Sequence, residues 1–213
     1  MMRNIIILCI AGLLALPALA QQREAKNVLD KTSANFRKTS GIEAAFIVKI
    51  EAKGQPDGGA SGNIQLKGDR FVLKTADAIT WFDGKTQWSY LTDSKEVNIS
   101  NPTEEELQAI NPYALLSIYQ KGFACAMGKA RTFRGRSICE VVLTAMDKTK
   151  EMSKLTLYVT RDTYQPIYIL AELNNGSRSE ITITNYRTGQ KFDDSTFVFD
   201  KKQYPDVEII DLR

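Results

Sequence analysis

Few side chains in this sequence are of a type that makes or breaks bonds. Asp83, Asp162 and the adjacent Asp193-Asp194 are the candidates for general acid–base work. Each sits in a stretch of turn composition, where an aspartate ordinarily bonds its own backbone a few residues on. Glu104-Glu105-Glu106 has instead the placement of a helix start, where acids favour the positive end of the helix dipole. The chain contains no histidine. That removes the commonest general base and metal ligand, and excludes serine–histidine and cysteine–histidine catalysis. Cys125 and Cys139 lie beyond the N-terminal segment. They are either a disulfide, in an oxidising compartment, or two buried thiols packing as small apolar residues. Without imidazole they make no convincing zinc site. The sequence therefore points away from an enzyme, and toward no metal or other cofactor.

What the chain does offer is grease. Trp81-Phe82-Asp83-Gly84-Lys85-Thr86-Gln87-Trp88-Ser89-Tyr90 holds both tryptophans and reads as two aromatic strands around an Asp-Gly turn. Large aromatics on adjacent strands make a wide apolar wall that loses few torsions on ordering. A wall of this kind suits holding an apolar molecule.

The elements that must carry that wall follow from periodicity. Arg23 to Ser40 reads as a helix with one apolar stripe of Ala25, Val28, Leu29, Thr32 and Phe36, stopped at Gly41. Alternating strands follow at 44–50, 63–67, 71–73, 79–82, 86–91 and 97–99. Asn101-Pro102 and Asn111-Pro112 then announce two short helices, the first with Asn101 and Glu104 spaced as a capping box. Strands resume at 138–143, 155–160, 167–173, 180–185 and 197–199, with Asn175-Gly176 marking a tight hairpin. The order gives an antiparallel α+β domain. The expectation is a strongly curved sheet, an incomplete β-barrel, with the helices covering its concave apolar face and leaving a cleft.

The first residues are a removable address. Arg3 precedes an apolar run from Ile5 to Leu16, and Ala18-Leu19-Ala20 forms a small-residue cleavage site. The expectation is a signal peptide over 1–20, cleaved after Ala20, and one exported domain over 21–213. The run is short for a membrane span, and Cys9 lies inside it rather than after a small-residue pair, so no lipid-modification site is expected. Basic and acidic side chains nearly balance, 28 against 25, which gives no reason to expect nucleic acid.

Several of these segments together resemble one family. Ala44-Ala45-Phe46-Ile47-Val48-Lys49 looks like its first strand. Asp83-Gly84-Lys85-Thr86-Gln87-Trp88-Ser89-Tyr90 is similar to its most distinctive motif, and Asn111-Pro112-Tyr113-Ala114-Leu115-Leu116 to its lid helix. Leu157-Tyr158-Val159-Thr160-Arg161-Asp162 resembles a later strand and turn. Phe197-Val198-Phe199 and Pro205-Asp206-Val207-Glu208-Ile209-Ile210-Asp211 resemble its ending. The chain thus resembles the periplasmic carriers of outer-membrane lipoprotein sorting, the LolA family. The resemblance implies a soluble, monomeric periplasmic protein that takes acylated lipoproteins from an inner-membrane ABC transporter and passes them to an outer-membrane acceptor. Carriers of the family have Arg-Pro just after the second strand; this chain has Gly68-Asp69 and then Arg70, so Arg70 is the candidate lid–barrel contact. The same fold also serves lipid-binding sensor or regulatory modules and carriers of other apolar envelope molecules.

Each buried methylene is worth about 0.8 kcal/mol, so acyl chains crossing water need a portable cavity. The expected lining is one sheet face of Phe46, Val48, Ile64, Leu66, Phe71, Trp81, Trp88 and Tyr90, with Val28, Leu29 and Phe36 from the first helix. The expected lid is Leu107, Ile110, Tyr113, Leu115, Leu116 and Ile118 on the two short helices, which prolines 102 and 112 would hinge.

Overall fold

The computed structural model describes residues 2–54, 56–103, 106–107, 118–120 and 122–213, with side chains from Ala20 onward. One long helix, α1 (Met2–Lys38), precedes the strands β1 (Ile42–Glu51), β2 (Gly58–Lys67), β3 (Arg70–Thr75), β4 (Ala78–Phe82), β5 (Gln87–Leu91) and β6 (Glu96–Ser100). After residues 101–122 come β7 (Phe123–Met127), β8 (Thr132–Phe133), β9 (Arg136–Ala145), β10 (Met152–Thr160), β11 (Pro166–Leu173), β12 (Arg178–Thr188) and β13 (Glu208–Asp211). Strands dominate, as alternation required. Sequence periodicity starts the helix at Arg23; α1 in fact begins at Met2, and no described helix is long and apolar enough to cross a membrane.

The strands make one sheet in the order β13-β6-β5-β4-β3-β2-β1-β12-β11-β10-β9-β7, with β8 paired only to β9. Each half of the chain is a meander of short turns. The two halves meet where β1 pairs antiparallel with β12, from Ile42↔Thr188 to Glu51↔Arg178, with a bulge opposite Ala45 and Phe46. β7 and β13 end the order without pairing to each other, so the sheet is not closed.

Four local expectations need correcting. Phe197-Val198-Phe199 is not a strand: Asp194–Phe197 is a 3-10 turn, and the last strand is β13. β13 runs parallel to β6, from Glu208↔Glu96 to Asp211↔Ile99, so the sheet is not wholly antiparallel. The capping box falls later than expected, on Thr103 and Glu106: Glu106 N–H donates to Thr103 Oγ1 at 3.3 Å, and Thr103 N–H donates to Glu106 Oε2 at 2.7 Å. That exchange satisfies two helix-start donors at once and holds the Glu106 carboxyl below its ordinary range. Finally, Gly41 does not cap α1. It lets Gln190 O and the Phe192 ring approach, since a Cβ there would lie 2.6 and 2.8 Å from them.

Candidate functional site

Opposed residues of a ladder share a face, so the registers assign every strand position to a side. One side carries α1. Ala25, Val28, Leu29 and the partly buried Phe36 pack with Ile42, Ala44, Phe46, Ile64, Leu66 and Phe71 from β1–β3, and with Val141, Leu143, Leu155, Leu157, Val159 and Ile169 from β9–β11. Val48, Leu73, Ile181 and Ile183 border the same cluster. Thr32 joins the stripe by donating to Val28 O at 2.9 Å, which spends its hydroxyl within the helix. Sequence reasoning thus placed Phe46, Val48, Ile64, Leu66, Phe71, Val28, Leu29 and Phe36, and the structure brings all eight together. Here they are closely packed, and Leu29, Ile64, Leu66 and Phe71 are almost wholly buried.

Gly62 makes room for this face. It stands opposite Phe46 in the β1–β2 ladder. A Cβ at Gly62 would meet Phe46 Cζ at 2.7 Å and collide with Lys74 O.

Trp81, Trp88 and Tyr90 were expected on the same face, and here the structure departs. Phe71 opposes Phe82, whereas Trp81 opposes Val72 and Trp88, and Tyr90 opposes Ile79 and Val97. These aromatics therefore lie on the far side of the sheet. The C-terminal segment covers them: Trp81 meets Phe199 at 5.5 Å and Tyr204 at 5.7 Å, Tyr90 meets Tyr204 at 4.9 Å, and Phe197 is fully buried with Val72 and Trp81. They form a second core that pins residues 192–204 to the sheet. The physical reason is phase. Alternation along Gln87-Trp88-Ser89-Tyr90 defines two faces but does not say which is turned inward.

Toward β5 and β6 the helix side consequently turns polar. Two cross-strand rows cross the sheet from β1 to β6: Ile42–Leu66–Phe71–Phe82–Gln87–Ser100, and Ala44–Ile64–Leu73–Thr80–Ser89–Asn98. Both begin apolar and end polar. Gln87 Nε2 donates to Ser89 Oγ at 3.1 Å, and Ser89 Oγ lies 3.4 Å from Thr80 Oγ1. Gln87 Oε1 is buried and has no hydrogen-bond partner among the described residues. Gln87 and Ser89 were not singled out from the sequence; the signal was the polar half of the same alternation.

Arg70 was the candidate lid contact. It instead pairs with Asp194, Nη1 to Oδ1 at 2.8 Å, alongside Lys67 Nζ at 2.8 Å to the same oxygen. Lys67 also donates to Phe192 O at 2.8 Å. Both cations therefore clamp the C-terminal turn, and hydrogen bonding from Lys67 and then Arg70 lowers the Asp194 pKa. Of the expected lid, Ile110, Tyr113, Leu115 and Leu116 lie outside the described residues. Ile118 and Tyr119 are buried in the helix-side core and Leu107 packs against it. Tyr119 OH donates to Asp30 Oδ1 at 2.6 Å, tying residues 118–120 to α1. Burial first, then that carboxylate, raises the Tyr119 pKa.

Cys125 and Cys139 are free thiols, which corrects the disulfide alternative. Cys125 stands opposite Leu143, so Cys139 lies four positions along the same strand from it. At about 3.3 Å per residue that offset is about 13 Å, far beyond the roughly 7 Å Cα limit for a bridge. Burial raises the thiol pKa of Cys125, away from a reactive thiolate.

Of the candidate carboxylates, Asp83 and Asp162 are held by their own turns. Asp83 Oδ1 accepts from the Lys85 and Thr86 N–H groups at 2.9 and 2.8 Å, closing the Asp-Gly turn in which Gly84 has φ 102°. Asp162 Oδ1 accepts from Thr163 N–H at 2.8 Å, and Asp193 stands at the start of the 3-10 turn that Asp194 opens. Asp162 borders a depression of about 490 Å³ with Arg136, Arg161 and Gln165, a polar hollow at a strand turn. Among the described residues no three His, Cys, Asp or Glu side chains converge as a metal site.

A family model described as "Outer membrane lipoprotein carrier protein LolA" matches residues 16–176. No curated protein matches the sequence. Among solved structures, an uncharacterized conserved protein from Thermus thermophilus is similar with a TM-score of 0.60 at 11% identity, over 88% of this chain and 99% of that one. A DUF1329 family protein from Desulfovibrio piger has a TM-score of 0.50 at 11% identity, over 86% and 99%. LprF from Mycobacterium bovis also reaches 0.50 at 11% identity, over 80% and 95%. At such identities these likenesses concern the fold.

Proposed function

Because the chain belongs to the outer membrane lipoprotein carrier protein LolA family, we propose that it is a periplasmic carrier of acylated lipoproteins. It is exported with a leader removed after Ala20, which frees a domain over 21–213. It shields acyl chains against the helix side of its sheet. Inner-membrane transporter and outer-membrane acceptor are its exchange partners, and the working unit is a monomer.

One observation supports this reading above others: a single apolar face runs across β1–β3 and β9–β12 and is closed by an apolar helix stripe rather than by another sheet. A helix keeps its backbone hydrogen bonds within itself, so it can shift by a small translation without breaking any. In the empty protein, α1 with Leu107, Ile118 and Tyr119 occupies the space that acyl chains would take. The contacts of the closed form then compete with those of the ligand, which keeps affinity low enough for release. No step requires a catalytic group.

The test is native mass spectrometry of the protein recovered from its own periplasm, with binding of a triacylated lipopeptide measured by fluorescence competition. A co-purifying acylated protein and saturable lipopeptide binding are expected. Recovery of ligand-free protein that also fails to keep the lipopeptide in solution would defeat the carrier reading.

A further inference from the structure

The helix side of the sheet is not uniformly greasy. The first row turns polar between Phe82 of β4 and Gln87 of β5, and the second between Leu73 of β3 and Thr80 of β4, so Gln87, Ser89, Asn98 and Ser100 stand where a plain lipid pocket would carry leucine or valine. Within this patch, and among the described residues, the Gln87 side chain is short of one partner. Turning its amide over exchanges which atom is left unpaired; it does not remove the deficit, because Ser89 offers a single hydroxyl to the pair. A buried polar atom left without a partner destabilises a fold, and an apolar residue of similar size would avoid that at no loss of packing. The charge pattern is equally specific. Neither row carries a lysine or arginine anywhere from β1 to β6, and the next position along, opposite Leu91, is Glu96. The patch therefore favours a neutral group that both donates and accepts over a phosphate or a fatty-acid carboxylate.

We propose that this face orients its ligand end to end. The acyl chains lie against β1–β3 and the adjoining β9–β12, and an amide-bearing head lies against β4–β6 with Gln87 as its hydrogen-bond partner. The proposal rests on the carrier reading and names the part of the cargo that is recognised. The N-acyl amide and following peptide group of an acylated cysteine have this chemistry; a triacylglycerol has the chains and ester acceptors but no donor.

Photo-crosslinking reads the orientation directly. A triacylated lipopeptide carries a diazirine either on the residue after its lipidated cysteine or at the end of an acyl chain. The head probe is expected to label peptides from residues 78–100, and the chain-end probe to label β1–β3, β9–β12 or α1. Labelling in the opposite sense, or head labelling outside 78–100, overturns the proposal. A second arm needs no crosslink. Gln87→Leu is expected to weaken lipopeptide binding about fivefold, the loss of one hydrogen bond, and to leave binding of a donor-free triacylglycerol within about twofold. Equal losses for both ligands, or no loss for either, overturn it as well. If the unaltered protein binds neither ligand, the carrier reading itself fails, which is a separate result from an unaltered protein that binds both without discrimination by Gln87.

Discussion

At the scale of single residues the structure turns on which polar and small side chains have a fixed job. Gly62 is one: Gly62→Ala places a methyl against Phe46 and the Lys74 carbonyl, and is expected to lower stability by about 1–3 kcal/mol in urea unfolding. Asp194 is another. Its carboxyl titrates below the ordinary 3.8 because Lys67 and Arg70 hold it charged. A depressed acid contributes stability that is present above about pH 4 and is lost as pH falls through its folded value. Stability of the parent should therefore drop on acidification below about pH 4 more than that of Asp194→Asn, measured as the midpoint of thermal unfolding at about pH 6 and about pH 3. The two cysteines give a third check. In protein produced from Gln21 onward, denaturation without reductant should release two thiols per chain to a thiol reagent, and fewer would restore the bridge that the β7–β9 register excludes.

Among the elements, the C-terminal segment is the one whose role differs most from its sequence pattern. Phe197, fully buried, anchors it beneath Trp81. Phe197→Ala is expected to destabilise by about 3–5 kcal/mol and to redshift tryptophan emission, because both tryptophans report on this patch. The strands of the two meanders were legible from alternation, and the α1 stripe from its spacing of three and four. The inward direction of β4 and β5 was not, since Trp81 and Trp88 satisfy a period of two equally well on either face. What decided it was residues 192–204, about a hundred positions away, which bring Phe197, Phe199 and Tyr204 to cover the aromatic side. The lining taken from Phe46, Ile64, Leu66 and Phe71 was readable because those positions alternate with polar ones. Arg70 was misassigned because its partner Asp194 comes from that same distant segment. β7 and β8 escaped notice for another reason: Phe123–Met127 and Thr132–Phe133 are too short and too rich in alanine and glycine neighbours to show a period.

For the molecule as a whole, the deepest consequence lies in the β1–β12 ladder. Phe46 waits for Ile183 and Ile42 waits for Thr188. As the polypeptide emerges from its N-terminus, β1 to β6 can form their meander early, yet one long margin of β1 stays bare until nearly the last residues arrive. A bare margin is a template for pairing with a neighbour, and closing so distant a contact is slow. Unfolded chains should therefore depend on a holding factor until nearly the whole sequence is available for folding. Truncation before residue 178 should yield aggregates, and a half-molecule would not behave as a smaller domain.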